Sequence, residues 1–123
     1  MKVLIVDDSK VMRLLVRRTL RQAGFENVEV HEAENGRQGV EVYQREQPDV
    51  VLADWNMPEM GGMELLQHLR VYDPAVRLGF ITSEQTPEIR AAAREAGARF
   101  YITKPFTPEE FKIKLHPLLG SPG

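Results

Sequence analysis

Residues 3–8 of the chain read VLIVDD, in which four apolar residues that favour strands lead directly into Asp7 and Asp8. Three more apolar runs follow the same plan, since each ends in a residue that can bind phosphate or a metal ion. They are residues 50–53 before Asp54, residues 78–81 before Thr82, and residues 100–103 before Lys104. Parallel α/β sheets bind their ligands at the carboxyl ends of the strands. If these runs are strands of one sheet, we expect carboxylates, a hydroxyl and an ammonium group to meet in one crevice.

The bulk composition is that of one globular domain. The chain has 123 residues, of which 42% are hydrophobic and 28% charged, and its formal net charge is −2. This charge offers no general basic field, so we expect no direct binding of nucleic acid. Cysteine is absent, which excludes disulfides, thiol catalysis and zinc–thiolate sites. No apolar run approaches the roughly 20 residues of a membrane helix, so we expect a cytoplasmic protein without membrane insertion.

Segments with helical periodicity alternate with the apolar runs. Residues 12–23 and 62–69 carry apolar or small side chains spaced three and one residues apart, which is typical of one face of a helix. Residues 86–88 and 107–109 both read Thr-Pro-Glu, which predicts a helix start with a capping hydroxyl and an acidic first turn. Pro117 lies inside the last helical pattern and predicts that this helix ends or kinks early.

The alternation amounts to five βα units in a row, with a short and more polar second strand at residues 28–31. Such a pattern predicts a parallel sheet covered by helices on both faces, with right-handed crossovers. In a doubly wound sheet of strand order 2-1-3-4-5, the first and third strands are neighbours. We therefore predict this order, which would bring Asp7 and Asp8 next to Asp54.

The residues predicted to meet in the crevice suit a divalent cation and a phosphoryl group. Three carboxylates within a few ångströms repel one another unless one is protonated or a cation lies among them. Oxygen ligands without a nearby histidine favour Mg²⁺ or Mn²⁺ over zinc. A carboxylate beside such a cation can attack phosphorus to give an aspartyl phosphate, while Lys104 and the Thr82 hydroxyl stabilise the transferred group.

Each of these residues has a simpler structural explanation when it is taken alone. Asp8 and Thr82 precede predicted helices and could be caps, and Lys104 could be an exposed charge at a strand end. Tyr101 could be a half-buried strand residue. These separate explanations do not account for four such residues following four strands at the same edge of a sheet.

The ordered set of motifs resembles the receiver domains of two-component response regulators, in particular the single-domain, CheY-like chemotaxis receivers. The motifs are Asp7-Asp8, residues 54–58 (DWNMP), Thr82 and Lys104-Pro105. The resemblance implies a flavodoxin-like (βα)5 doubly wound α/β sandwich with a parallel five-stranded sheet in the order 2-1-3-4-5. It covers residues 3 to about 119, so we assign residues 1–119 to a receiver domain and residues 120–123 to a flexible tail or the start of a linker.

The resemblance implies a role for each residue that would meet the phosphoryl group. Asp54 would be the phosphoacceptor, Lys104 would pair with the phosphoryl oxygens, and Thr82 would move to hydrogen-bond them. Tyr101 would swing inward as Thr82 moves, and so remodel the face made by the fourth helix, the fifth strand and the fifth helix. The peptide bond between Lys104 and Pro105 would be cis, which is uncommon in proteins.

The resemblance also implies a Mg²⁺ site that could accept Mn²⁺. Asp8 would ligate the metal directly, Asp7 mainly through water, and Asp54 and the backbone carbonyl of Asn56 would complete the protein ligands. The side chains of Asn56 and Glu84 would occupy positions that tune dephosphorylation. Such a chain would catalyse its own phosphorylation from a donor and its own dephosphorylation, but it would not be a turnover enzyme.

The function implied by the resemblance is phosphorelay signal transduction. A sensor histidine kinase or a phosphotransfer protein would donate the phosphoryl group. The switched face would control a downstream protein or an output domain that is missing from this chain, and the protein would be a monomer or a weak, phosphorylation-dependent dimer. On that face, Pro87 stands where close chemotaxis receivers carry lysine, and Arg90 stands where they present an apolar contact.

Two other functions remain open at this point. A receiver fold could serve as a protein-interaction module that works without phosphorylation, although no residue of the site is missing. An aspartyl-phosphate phosphatase acting on small molecules would use related chemistry. It needs a second acid near the nucleophile and a cap over the substrate, whereas the residue two positions after Asp54 is Asn56 and no segment is long enough for a cap.

Overall fold

The protein alternates five strands with five helices over residues 1–84 and 86–120, which a computed structural model describes. The strands are β1 (Lys2–Val6), β2 (Glu29–Ala33), β3 (Val50–Ala53), β4 (Leu78–Thr82) and β5 (Tyr101–Thr103). The helices are α1 (Lys10–Gln22), α2 (Gly36–Glu46), α3 (Gly62–Tyr72), α4 (Pro87–Glu95) and α5 (Pro108–Leu119). Among these residues, no helix combines the length and the apolar character that crossing a bilayer requires.

All five strands pair in parallel, in the order β2-β1-β3-β4-β5. The predicted strand order is therefore confirmed. In the centre of the sheet, Val6 of β1 lies opposite Ala53 of β3, and towards the β5 edge Thr82 of β4 lies opposite Thr103. Because β1 ends level with β3, and β4 ends level with β5, the residues that follow these strands emerge at one edge of the sheet.

Side chains of the central strands alternate between two apolar cores, one on each face of the sheet. Ile5 lies in the core on the side of α1 and α5, where Leu20 and Phe111 are also buried. Leu4 lies in the opposite core, together with Leu65 of α3. Burial on both faces explains why the central strands read as nearly continuous apolar runs.

The predicted starts of the last two helices are confirmed, whereas the predicted early end of α5 is wrong. The hydroxyls of Thr86 and Thr107 each accept the backbone N–H three residues later, with O–N distances of 3.2 Å. α5 continues through Pro117 to Leu119. A proline in the last turn removes only one backbone donor, and the burial of Leu119 in the core stabilises that turn.

Gly79 leaves room in the middle of β4 for an aromatic ring. It lies opposite Leu52 of β3, and a Cβ atom on it would lie only 2.3 Å from the ring of Phe100. Glycine inside a strand is usually weakening because it has no side chain to pack. Here the absence of that side chain is what allows the buried Phe100 ring to pack against the sheet.

Gly79→Ala is expected to lower the free energy of unfolding by about 1–3 kcal/mol, because the added methyl group overpacks the core against Phe100. Urea unfolding of the wild type and the variant measures the loss. Phe100→Ala provides the matched background, since it removes the ring that the methyl group would meet. In that background Gly79→Ala should cost almost nothing, and an equal cost in both backgrounds would contradict this explanation.

Candidate functional site

The carboxyl ends of β1 and β3 bring the predicted aspartates together. The backbone N–H of Asp54 donates to the carbonyl of Val6 at 3.0 Å, and that of Asp7 donates to the carbonyl of Ala33 at 3.1 Å. The sheet hydrogen bonds therefore continue one residue beyond each strand. One carboxylate oxygen from each of Asp7, Asp8 and Asp54 lies within 4.8 Å of the other two. The crevice that the sequence predicts thus contains all three carboxylates.

The two aspartates that follow β1 differ in exposure. Asp7 is only 4% exposed, and its Oδ1 atom accepts the backbone N–H of Ser9 at 2.9 Å. Asp8 is exposed. Asp7 therefore forms a fixed floor of the crevice, while Asp8 lies at its rim, where a cation arriving from solvent can reach it.

Lys104 provides the positive charge of the crevice. Its Nζ atom lies 3.5 Å from Oδ2 of Asp7 and 3.5 Å from Oδ2 of Asp54. The backbone N–H of Lys104 donates to the carbonyl of Thr82 at 2.9 Å, so the pairing of β5 with β4 positions this residue. The side chain of Lys104 is 19% exposed, which partly shields both ion pairs from water.

Asp54 carries one anchored oxygen and one that faces Lys104. Burial raises the pKa of the Asp54 carboxyl above its ordinary value, the charge of Lys104 opposes the rise, and the charge of Asp7 adds to it. The Oδ1 atom accepts the backbone N–H of Trp55 at 2.8 Å. This hydrogen bond favours the charged carboxylate and fixes its orientation, so that Oδ2 is directed towards the ammonium group.

The donor chemistry of the crevice fits a hard divalent cation such as Mg²⁺. The three side chains that could ligate a metal, Asp7, Asp8 and Asp54, all offer carboxylate oxygens. A cation among them would neutralise the like charge of Asp7, which helps to raise the pKa of Asp54. A second group of candidate ligands, Glu29, His31 and Glu46, lies near the β2 edge. There the Nζ atom of Lys2 lies 3.3 Å from Oε1 of Glu46 and already supplies a counter-charge.

Thr82 and Tyr101 are connected through the backbone of Glu84. The Oγ1 atom of the buried Thr82 accepts the N–H of Glu84 at 3.3 Å, and the hydroxyl of Tyr101 donates to the Glu84 carbonyl at 2.5 Å. The two residues predicted to form the switch therefore both hydrogen-bond to the backbone of the same residue, Glu84. The peptide bond between Lys104 and Pro105 is cis.

The two residues predicted to tune dephosphorylation contact each other. The amide Nδ2 of Asn56 donates to Oε1 of Glu84 at 2.9 Å. This hydrogen bond links the loop after β3 to the loop after β4.

Phe80, to which the sequence pattern assigns no functional role, links Trp55 in the loop after β3 to Tyr101 in β5. Its ring packs edge-on against Trp55, with 5.0 Å between ring centroids, and against Tyr101, with 6.4 Å between centroids. Gly62 makes room for it, since a Cβ atom there would lie 2.7 Å from the Phe80 ring. The side-chain alternation along β4 is enough to predict that Phe80 is buried. Its contacts with Trp55 and Tyr101 cannot be predicted in this way, because both residues come from other parts of the chain.

Comparison with known proteins gives a family match and close sequence relatives. Residues 3–116 match the family described as response regulator receiver domain. The chemotaxis protein CheY1 of Helicobacter pylori is 39% identical over 127 aligned positions, which cover 98% of both chains. The chemotaxis protein CheY-3 of Vibrio cholerae is 40% identical over 117 positions, which cover 94% of this chain and 88% of the relative.

Solved structures agree with the sequence comparison. The chemotaxis protein CheY4 of Vibrio cholerae superimposes with a TM-score of 0.85 at 34% identity, covering 96% of this chain and 98% of the other. A receiver domain protein from Clostridium thermocellum has a TM-score of 0.86 at 23% identity, over 96% and 93% of the two chains, which supports the fold alone. The predicted flavodoxin-like fold is confirmed. This chain belongs to the response regulator receiver domain family and is similar to its CheY-type members.

Proposed function

We propose that the chain is a phosphorylatable receiver that carries a phosphoryl group on Asp54. A sensor histidine kinase or a phosphotransfer protein donates the group. The output face, formed by α4, β5 and α5, passes the change to a downstream protein or output domain. The observation that carries the proposal is the Oδ2 atom of Asp54, which faces Nζ of Lys104 at 3.5 Å beside two further carboxylates. The relatives named as CheY chemotaxis proteins support it.

Asp54 acts as the nucleophile in the proposed reaction. Its Oδ2 atom forms a bond to phosphorus while the bond from phosphorus to the donor's histidine nitrogen breaks. The electron pair leaves with that nitrogen, which takes up a proton. The N–H of Trp55 holds Oδ1 at 2.8 Å and so orients the attacking carboxylate. Lys104 opposes the rise in the pKa of Asp54, which keeps the nucleophile charged, and it lies close enough to pair with the phosphoryl oxygens.

Four residues would hold Mg²⁺ in this proposal, and Mn²⁺ suits the same oxygen donors. They are Asp7, Asp8, Asp54 and, through its backbone carbonyl, Asn56. When bound, the cation supplies positive charge that neutralises the crowded carboxylates and the phosphoryl oxygens. Asp8 would hold the cation from an exposed position at the rim of the crevice, and the orientation of Asp7 would be fixed by the backbone N–H of Ser9.

Thr82 and Tyr101 form the two-state element of the proposal. The hydrogen bond from the N–H of Glu84 to Oγ1 of Thr82 is long, at 3.3 Å, so the hydroxyl can rotate at little cost to donate to a phosphoryl oxygen. The backbone of Glu84 also accepts the hydroxyl of Tyr101, which lies on the output face. A movement at Thr82 therefore changes the population of Tyr101 positions.

We infer that the chain does not turn over small substrates, and that it both takes up and loses a phosphoryl group at the same carboxylate. A cytoplasmic location belongs to the same proposal, because histidine kinases use ATP there.

The alternative function, a protein-interaction module that works without phosphorylation, requires no nucleophile. The orientation of Asp54 by Trp55 and Lys104 favours the phosphorylatable receiver over this interaction module.

Asp54→Asn is expected to abolish the response of Trp55 fluorescence to beryllofluoride and Mg²⁺, because the amide cannot bind the phosphoryl mimic. The wild type should respond, since Trp55 adjoins Asp54 and donates to its Oδ1 atom. Glu64→Gln, an exposed change in α3, is the matched control and should behave like the wild type. A wild type that does not respond, or a variant that responds equally, would rule out the proposed site.

Asp8→Asn is expected to weaken the affinity for Mg²⁺ by about tenfold or more, which is at least the effect of losing an outer-shell partner. The physical reason is the loss of one anionic oxygen ligand from an exposed position that does not pack in the core. Calorimetric titration with MgCl₂ measures the change, with Glu26→Gln as an exposed carboxylate control. Equal affinities of wild type and Asp8→Asn would show that Asp8 is not a ligand.

Asp54→Asn is expected to raise the free energy of unfolding at pH 7 when no divalent cation is present. Burial raises the pKa of Asp54 in the folded state, so folding favours its protonated form. The associated stability is present below the unfolded pKa and is lost as the pH rises through the folded pKa. The gain from asparagine should therefore shrink as the pH falls towards 4, the ordinary pKa of aspartate. Urea unfolding at several pH values tests this, and a gain that does not vary with pH would refute it.

A further inference from the structure

A second group of metal-binding side chains lies at the β2 edge of the sheet and consists of Glu29, His31 and Glu46. One ligand atom from each residue lies within 4.8 Å of the other two. The Nε2 atom of His31 lies 2.5 Å from Oε2 of Glu29 and 3.5 Å from Oε1 of Glu46. We call this group the edge cluster. It shares no residue with the aspartate crevice at the carboxyl ends of β1 and β3.

The backbone brings the edge cluster together from two elements that pack against each other. Glu29 and His31 lie two positions apart in β2, so their side chains share one face of the sheet. Glu46 is the last residue of α2, which packs against β2. The left-handed Gln47, with a φ of 48°, ends the helix directly after it. The ligand atoms are therefore held by a strand and by the fixed end of a helix.

The edge cluster already binds a positive charge, the ammonium group of Lys2. Its Nζ atom lies 3.3 Å from the carbonyl oxygen of Glu46, 3.3 Å from Oε1 of Glu46 and 4.0 Å from Oε2 of Glu29. The free carbonyl groups at the end of α2 add negative partial charge. A divalent cation would interact more strongly with the same oxygens. The Lys2 side chain is 39% exposed, so it can turn into solvent when a metal ion enters.

The imidazole of His31 distinguishes the edge cluster from the aspartate crevice. Carboxylate oxygens alone suit Mg²⁺, whereas one imidazole nitrogen with two carboxylates suits Zn²⁺. Zinc bonds of about 2.0–2.2 Å place the ligand atoms of a tetrahedral site about 3.3–3.5 Å apart. The distance of 3.5 Å between His31 and Glu46 already has this value. The exposed Glu29 needs to move back from His31 by only about 1 Å to reach it.

We propose that Glu29, His31 and Glu46 bind Zn²⁺ at the β2 edge, and that Lys2 moves into solvent when the metal enters. Three protein ligands leave one position of a tetrahedral site for water. The bound metal ties the end of α2 to the edge strand, so Zn²⁺ stabilises the folded chain over the unfolded chain. This site goes beyond the phosphorylation proposal and does not depend on it, since the two sites use different ligands.

The test is a calorimetric titration of the full chain with ZnCl₂, with excess MgCl₂ present to fill the aspartate crevice. His31→Gln should weaken the affinity for Zn²⁺ by about tenfold or more, because it removes the nitrogen ligand. Glu29→Gln changes an exposed side chain of β2 and should also weaken the affinity. Nitrogen NMR of the imidazole rings reports ligation directly, and Zn²⁺ should shift the Nε2 signal of His31.

Lys2→Gln should have the opposite effect and tighten Zn²⁺ binding by about threefold, because it removes the competing ammonium group of a partly exposed ion pair. Lys112→Gln removes the same charge from an exposed position on α5 and should leave the affinity unchanged. A purely structural role of Lys2 does not predict tighter binding. Weaker or equal binding by Lys2→Gln would therefore contradict a metal ion at the position of the ammonium group.

His68→Gln is the matched control for His31→Gln, since it removes an exposed histidine from α3, and it should bind Zn²⁺ like the wild type. Equal losses in the two histidine variants, or an unchanged Nε2 signal of His31, would overturn the inference. Zn²⁺ binding that is lost in Asp8→Asn but kept in His31→Gln would place the metal in the aspartate crevice and overturn it too. A wild type that does not bind Zn²⁺ in the presence of Mg²⁺ would likewise refute the site.

Discussion

The parallel pairing of β1 with β3 is the constraint on which the rest of this molecule depends. The hydrogen bond from the N–H of Asp54 to the carbonyl of Val6 carries that pairing one residue past the end of β3. Two segments that lie more than 40 residues apart in the chain thereby place Asp7 and Asp8 against Asp54. A shift of one residue in this register would turn every side chain of the strand to the opposite face, so the two apolar cores also hold the site in place.

Three carboxylates lie close together in the crevice and repel one another, which makes the site sensitive to added charge. Burial and the neighbouring Asp7 raise the pKa of Asp54, and Lys104 offsets part of that effect from 3.5 Å away. A cation or a phosphoryl group that entered the crevice would find charged side chains already in position around it. The hydrogen bond to Oγ1 of Thr82 is long, so this hydroxyl also has a weak partner. Interactions of this kind are expected where two states of a protein must lie close in free energy.

Packing connects this chemistry to the surface. Trp55, Phe80 and Tyr101 form a continuous row of aromatic rings from the residue after Asp54 to the first residue of β5. Gly62 and Gly79 leave the space that the rings of Phe80 and Phe100 occupy. Tightly packed interiors respond to displacement by moving between discrete arrangements rather than by deforming gradually. A movement near Asp54 can therefore reach Arg90, which stacks on Tyr101, through contacts that have little freedom to absorb it.

Local patterns in the sequence were enough to determine the order of strands and helices, the caps at Thr86 and Thr107, and the place of the candidate site residues at strand ends. They act over a few residues, within one element, and so they can be recognised without the fold. Pro117 marks the limit of such rules, because the burial of Leu119 keeps α5 helical where the local preference predicts an end. Only the tertiary structure decided that Asn56 would bond to Glu84, that Phe80 would join Trp55 to Tyr101, and that Arg90 of α4 would stack on Tyr101. These contacts join different elements, and their distances depend on how the helices and strands pack together.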